Sequence, residues 1–223
     1  MRLASRLTHA IAVFGTVLVL GLTGAATNSH AASPDRAKAF IDELGHTAIE
    51  RLGDTDKPRE ERIADFRELL HNGFAVPDIS RFVLARYWRV ASDEERTEFI
   101  ETLEQILVQR FLPLFEDFDP EDFETVGARS DPNSDNLALV ATDIYDPESG
   151  ETVRATWRVR ERDGGMQIVD VMAEGVSMAI TFRSEFGSVI QRGGGEVQVL
   201  IDELQENLER GAFEPDAVEG LVE

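Results

Sequence analysis

The stretch "TVRATWRVRER", residues 152–162, decides the fold class because its side chains alternate in character along the run. The apolar positions are Val153, Ala155, Trp157 and Val159, and the positions between them are Arg154, Thr156, Arg158 and Arg160. A period of two predicts a β-strand with one apolar face and one basic face. The apolar face needs a cover, so we expect helices to pack on it.

The runs around this strand have the same character. "FETVGARS" (123–130), "NLALVATDIYD" (136–146) and "GMQIVDVMAEG" (165–175) are rich in β-forming residues. Turn signals separate the runs at Pro132-Asn133, at residues 147–150 and at Gly164-Gly165. Because these links are short, an antiparallel meander is favoured over a parallel sheet. The sequence therefore predicts a curved antiparallel sheet of about four strands.

Helical patterns lie on both sides of this β-region. Apolar residues recur at helical spacing in segments 34–52, 58–73, 77–91 and 92–111, then after Ser177 and again over 199–208. Ser92 and Glu95 have the spacing of a capping box, in which each side chain satisfies an exposed backbone amide. The predicted fold class is α+β: helices packed on the curved antiparallel sheet, an NTF2-like cone with extra helices.

The beginning of the chain has the pattern of a secretory signal peptide. Arg2 and Arg6 precede an apolar run over 10–26, and Ser29-His30-Ala31 resembles a cleavage site. A transmembrane anchor is the alternative, but a span needs about 20 predominantly apolar residues and this run is shorter. We expect a signal peptide over 1–31 and one domain over 32–223 with a loose acidic C-terminal tail. The chain contains Cys 0, so no disulfide holds the exported domain.

The charge balance excludes whole classes of partner. The formal net charge is −21 at pH 7, and removal of Arg2 and Arg6 with the leader makes it more negative. Nucleic-acid binding depends on neutralising phosphates with Lys and Arg, so no nucleic-acid partner is expected. An anionic bilayer attracts basic segments and repels acidic ones, so we expect only indirect membrane contact.

The stretch "DVMAEGVSMAITFRSEF", residues 170–186, places Ser177 between a strand and a helix, as in the nucleophile elbow of acyl hydrolases. In those enzymes the catalytic histidine follows the nucleophile, whereas His46 and His71 both precede it. The motif also ends in Ala179 instead of glycine. We therefore expect Ser177 to cap the helix, and we predict no catalytic residue and no enzyme.

A small NTF2-like isomerase or hydrolase is the enzymatic alternative. In that case Asp143 or Asp170, both within β-runs, would act as a base with a raised pKa. Hydrogen bonding at strand ends is the more common role of such residues.

Metal and cofactor sites are not predicted. "DPNSDN" (131–136) begins like a calcium loop, but Asn136 stands where glycine is needed and Thr142 where a bidentate glutamate should be. The stretch is better interpreted as a turn between strands. His46 and His71 have no partner at metal-ligand spacing such as i, i+4.

Three segments carry a resemblance to a known family. They are "FVLARYWRVASDEERTEF" (82–99), "WRVRERDGGMQIVDVMAEGVSMAITFRSEF" (157–186) and the glycine-rich link into "VLIDELQENL" (199–208). They resemble the periplasmic phospholipid-binding shuttle of the Mla system, also called the toluene-tolerance auxiliary family of ABC transporters, collinearly from about Ala37 to Leu208. The sequence departs from the family pattern at Ala85, where glycine is usual, and at Gln198-Val199, which replace a usual glycine.

The resemblance implies a soluble periplasmic lipid-binding domain over 32–223. Such a carrier holds phospholipid acyl chains in an apolar cavity and moves lipid between an inner-membrane Mla-type ABC complex and an outer-membrane lipoprotein. We expect a monomer that needs no cofactor. The alternatives are a hopanoid-associated carrier of the same family and an adaptor of the ABC complex that binds no ligand.

Two groups of candidate site residues follow. The acyl chains are expected to contact apolar residues of the sheet and helices, each of which could instead belong to the core: Phe82, Val83, Tyr87, Phe99, Leu103, Ile106, Trp157, Val159 and Phe186. The basic face of the strand, Arg154, Arg158 and Arg160, is expected to dock an acidic partner or to meet the lipid phosphate. A solvated strand face is the alternative for these arginines.

Overall fold

A computed structural model describes residues 32–116, 118–146, 150–162 and 164–215. The predicted signal peptide (1–31) and the end of the predicted acidic tail lie outside these residues. Among the described helices, none combines the length and apolar character that crossing a membrane requires.

The order of elements is helices, then a sheet, then helices. The helices are α1 (Pro34–Leu52), α2 (Arg59–Gly73), α3 (Val76–Leu84), α4 (Asp93–Phe111), α5 (Met178–Arg192) and α6 (Val197–Glu209). The strands are β1 (Phe123–Asp131), β2 (Ser134–Tyr145), β3 (Thr152–Arg162), β4 (Gly165–Ala173) and β5 (Val176–Ser177). The predicted α+β class is confirmed.

A capping box marks the start of α4. The Ser92 hydroxyl accepts a hydrogen bond from the Glu95 backbone N–H at 3.1 Å, and the Glu95 carboxylate accepts one from the Ser92 backbone N–H at 2.7 Å. The predicted capping box is therefore confirmed. The third predicted helix is shorter than expected, because α3 ends at Leu84 and a 3-10 helix follows over Ala85–Arg89.

The backbone leaves the helical conformation at Ala85, and this residue is strained. Its φ of 52° and ψ of −120° lie in a region that glycine adopts readily and that costs other residues about 1–3 kcal/mol. We expect Ala85→Gly to raise the free energy of unfolding by about 1 kcal/mol, since relief of strain exceeds the backbone entropy that glycine adds. Urea denaturation measures the change.

Ala48, inside α1, provides the matched control for this prediction. Ala48→Gly introduces glycine where the backbone is already helical, so it should lower the free energy of unfolding by about 1 kcal/mol. Destabilisation by both substitutions would show that Ala85 is not strained.

The sheet is an antiparallel meander in the order β1-β2-β3-β4-β5, as predicted. Its fifth strand is an addition to the four expected. This two-residue strand forms because Glu174 and Gly175, with φ of 48° and 82°, turn the chain tightly back onto β4. A register shift in the β3–β4 pairing, next to Arg158 and Val159, is a bulge of the kind that bends a sheet.

Three apolar clusters form the core. The sheet cluster joins α1 to the apolar sheet face and contains Ala37, Ile41, Ile49, Phe123, Ala138, Val140, Val159 and Ile168. The middle cluster contains Leu52, Phe66, Leu70, Val76, Val108 and Leu112. The helical cluster lies among α3, α4, α5 and α6 and includes Val83, Leu84, Phe99, Leu103, Ile106, Phe186, Ile190, Leu200 and Ile201.

The α1 helix approaches the sheet very closely. A Cβ atom added at Gly45 would lie 2.4 Å from the Phe123 ring, so only glycine permits this approach without a shift of the ring. This close approach lets α1 cover the apolar residues of the sheet cluster.

Candidate functional site

The structure divides the predicted acyl-chain residues between two clusters. Val159 is buried in the sheet cluster and Trp157 packs against it. The residues buried in the helical cluster are Val83, Phe99, Leu103, Ile106 and Phe186, with Tyr87 at the margin. Phe82 is 42% exposed on the surface of α3. The nine residues therefore do not line one common cavity in the described part of the chain.

Trp157 on β3 is a half-buried aromatic residue that packs against the sheet cluster. Its indole Nε1–H donates to the Thr142 hydroxyl at 2.9 Å, which satisfies the polar atom of the ring. The ring meets Phe74 edge-on, with centroids 6.5 Å apart. With its donor satisfied, the remaining ring surface can contact hydrocarbon without stranding a polar group.

The helical cluster is closed by aromatic packing. Phe99 and Phe186 meet edge-on with ring centroids 6.0 Å apart, and Phe182 stacks on Phe186 at 5.4 Å. These geometries are typical of a packed core. Contact between an acyl chain and Phe99 would require this packing to open.

The middle cluster connects the other two. Phe74 packs against both the sheet cluster and the middle cluster, and Leu107 packs against both the middle and the helical clusters. A continuous apolar path therefore runs from Trp157 on the sheet, past Phe74, to the helices.

Two open clefts in the described part of the chain lie on its helical side. One, of about 330 Å³, lies between α3 and α5, and the other, of about 310 Å³, lies among α2, α4 and α6. Neither is lined by Trp157 or Val159. Both volumes lie at the lower end of the range for ligand sites, about 300–1,000 Å³. Acyl chains would therefore need the apolar clusters to separate.

The predicted basic face of β3 exists, but its arginines are ion-paired. Arg154 pairs with Asp143 and Arg160 with Asp78. Arg158 lies 3.0 Å from a carboxylate oxygen of Asp131. Ala155 and Val159 are buried, which confirms the alternation in this part of the strand, whereas Val153 is 40% exposed. Docking or headgroup contact by Arg154, Arg158 and Arg160 stays a prediction.

Neighbouring donors stabilise the charged forms of these carboxylates. The Asn133 backbone N–H donates to Asp131 at 2.9 Å, and this bond and Arg158 hold the pKa of Asp131 below its usual value despite burial. Hydrogen bonds from the Arg154 guanidinium lower the pKa of Asp143, and the same bonds to Asp143 raise the pKa of Arg154. These aspartates are therefore ionised partners of arginine.

The strand-to-helix corner is built around Asp170 and Ser177. The Ser177 hydroxyl accepts from the Ile180 backbone N–H at 3.1 Å, which confirms the predicted helix cap. It also donates to Asp170 at 2.7 Å, and the other Asp170 oxygen accepts from the Ala179 N–H at 3.2 Å. Asp170 thus anchors α5 to the sheet instead of facing a cavity as a base. Sequence reasoning missed this link, although the seven-residue spacing of Asp170 and Ser177 across a tight turn could have suggested it.

The histidines and the calcium-like loop do not form a catalytic or metal site with Ser177. The ring of His46 is bonded to the Asp42 carbonyl at 2.8 Å and that of His71 to Glu104 at 2.7 Å, so neither serves Ser177. Residues 131–134 form the predicted turn between β1 and β2. Within the ranges that the structure describes, no three His, Asp or Glu side chains come together in a way that could hold a metal ion.

Comparison with known proteins agrees with this fold. Residues 29–206 match the model of a family described as MlaC protein. The chain is also similar to a phospholipid-binding protein from Ralstonia solanacearum whose structure was solved in complex with a phospholipid. The TM-score is 0.66 at 16% sequence identity, over 79% of this chain and 98% of that chain. At this identity the likeness establishes the shared fold.

Proposed function

Because the chain belongs to the MlaC protein family, we propose that it is a soluble periplasmic protein that binds phospholipid. We propose further that it moves lipid, as a monomer, between an inner-membrane Mla-type ABC complex and an outer-membrane lipoprotein, touching membranes only through these partners. The family match carries the proposal. The phospholipid in the Ralstonia solanacearum protein supports the choice of ligand.

The physical chemistry of lipids explains the need for a carrier. At about 0.8 kcal/mol per buried CH₂ group, two sixteen-carbon chains represent about 25 kcal/mol of transfer free energy. This exceeds the practical limit of non-covalent affinity, about 18–21 kcal/mol, so binding must include an opposing cost. Separation of the packed apolar clusters is such a cost in this protein.

The acyl chains are proposed to follow the apolar path across the clusters. Trp157 and Val159 would form the sheet wall, with Phe74 beside Trp157 at the entrance to the middle cluster. The predicted helical residues would be reached only after the helices move apart. Phe82 is more exposed than the other predicted residues and would lie at the edge of the lipid-binding region.

Lipid extraction followed by mass spectrometry tests the proposal. We expect the purified protein to contain phospholipid and to take up labelled phospholipid from vesicles after its own lipid has been removed. The same spectra distinguish glycerophospholipid from hopanoid-related lipid. Trp157→Ala should reduce the lipid content because it removes part of the sheet wall.

Tyr145→Ala is the matched control, since Tyr145 is an exposed aromatic residue on the same sheet. Its lipid content should equal that of the wild type. Absence of phospholipid in the purified protein, together with no uptake from vesicles, would refute the carrier. That result would favour the adaptor alternative, which the closed apolar clusters support.

A further inference from the structure

Among the described residues, cationic groups without ion pairs lie on the surface of α3, the following 3-10 helix and α5, as they do at Arg59 and Arg67 on α2. Arg81, Arg86, Arg89, Arg183 and Arg192 are exposed and form no ion pair with any carboxylate in the described ranges of the chain. The arginines of β3, in contrast, are neutralised by aspartates. In a chain with a net charge of −21, unpaired cations on adjacent elements point to an external anion.

Arg86 and Arg183 flank the 330 Å³ cavity between α3 and α5. Each guanidinium lies over an aromatic ring, Arg86 at 4.7 Å from the Tyr87 centroid and Arg183 at 5.0 Å from the Phe82 centroid. Stacking on a ring orients the planar guanidinium. Arg86 also donates from Nη2 to the Tyr87 hydroxyl at 2.6 Å, and its other N–H groups remain available. The two arginines are thus ordered cations that can bind carboxylates bidentately.

Exposed apolar side chains lie next to Arg183: the Phe82 ring is under its guanidinium, and Ile180 is one turn earlier in α5. Phe82 is 42% exposed and Ile180 is 58% exposed, and the cavity wall on α5 includes Ser184, Gly187 and Ser188. A Cβ atom added at Gly187 would meet nothing within 4 Å, so the groove is open at this point. Exposed apolar side chains beside unpaired arginines form a surface complementary to an acidic amphipathic segment.

We propose that the α3–α5 groove docks an acidic amphipathic segment of a protein partner. An apolar side chain of that segment occupies the groove, and carboxylates on either side bind Arg86 and Arg183. A protein fits better than a bilayer because the site is concave and the acidic chain as a whole is repelled by anionic lipid. The groove shares Val83 and Tyr87 with the predicted acyl-chain residues but contains neither Trp157 nor Val159, so lipid content, measured beside peptide binding, distinguishes failure of this proposal from failure of the lipid-carrier proposal.

Synthetic helical peptides test the docking proposal. The probe carries a row of leucines flanked by glutamates, and its affinity for the full mature protein is measured by fluorescence anisotropy at low salt. We expect the double variant Arg86→Glu/Arg183→Glu to weaken binding by at least about tenfold, because two attractive pairs become repulsive. Arg59→Glu/Arg67→Glu is the control, with the same charge change at the other cavity, and should leave binding unchanged.

Two further peptides separate the charge and apolar requirements. Replacement of the glutamates by lysines should abolish binding, and replacement of the leucines by serines should weaken it. Circular dichroism confirms that each variant is folded, and lipid content reports separately on the carrier function. The proposal is overturned by absence of binding of the glutamate–leucine peptide, or by equal loss in both double variants. Binding to phosphatidylglycerol vesicles through Arg86 and Arg183, without binding of the peptide, would assign the surface to a membrane instead.

Discussion

Asp170→Ala is expected to lower the free energy of unfolding by about 3 kcal/mol, because hydrogen bonds to a charged group contribute about 1.5–3 kcal/mol each. The Asp170 side chain is 6% exposed, and its oxygens accept from the Ser177 hydroxyl and the Ala179 backbone N–H. Arg158 approaches it to 3.7 Å. The substitution leaves the buried Ala179 N–H and the half-buried Ser177 hydroxyl without their acceptor. Urea denaturation at neutral pH measures the loss.

Asp143→Ala is the matched control on the same face of the sheet. Asp143 also pairs with an arginine of the neighbouring strand, but Arg154 is exposed, so water can replace the lost partner. We expect only a small change for this variant. If both substitutions lowered the free energy of unfolding equally, Asp170 would stabilise the protein no more than a surface ion pair does.

The corner matters for function because α5 begins at it. Asp170 belongs to β4, whereas Ala179 lies in the first turn of α5, so their hydrogen bond fixes the helix to the sheet. Further along, α5 contributes Phe186 and Ile190 to the helical cluster. If acyl chains enter by separating helices from the sheet, this corner is the fixed end about which α5 would move.

Features that depend on local sequence were predictable. The apolar spacing and the proline after Ser33 gave both ends of α1, which spans Pro34–Leu52 as expected. The capping box of α4, the Ser177 cap and the alternation along β3 are likewise encoded within a few neighbouring residues. Family resemblance gave the expected kind of fold.

Features that depend on distant residues were not predictable. Arg160 pairs with Asp78, 82 positions away in the chain, so the sequence could not show that the basic face is neutralised. The apolar residues of the helices and the sheet looked equivalent in the sequence. Only packing assigns Phe99 and Val159 to separate clusters, because periodicity identifies a buried face without identifying its neighbour.

Phe99→Ala is expected to lower the free energy of unfolding by about 3–5 kcal/mol, since the ring is fully buried and its removal leaves a cavity. The substitution also removes the edge-on contact with Phe186. Phe82→Ala is the control on an adjacent helix: Phe82 is 42% exposed and its ring lies under Arg183, so its loss should cost about 1 kcal/mol or less. Thermal and urea denaturation of the delipidated proteins measure both changes.

Added phospholipid shows whether Phe99 has a second role beyond packing. A ligand that binds only the folded state raises the unfolding free energy by an amount set by its dissociation constant. If acyl chains contact the helical cluster, as the sequence predicts, this increment should be smaller in Phe99→Ala than in the wild type. An unchanged increment would restrict the acyl chains to the sheet and middle clusters. Phe99 would then stabilise the fold without contacting lipid, because the edge-on packing with Phe186 would persist in the lipid-bound protein.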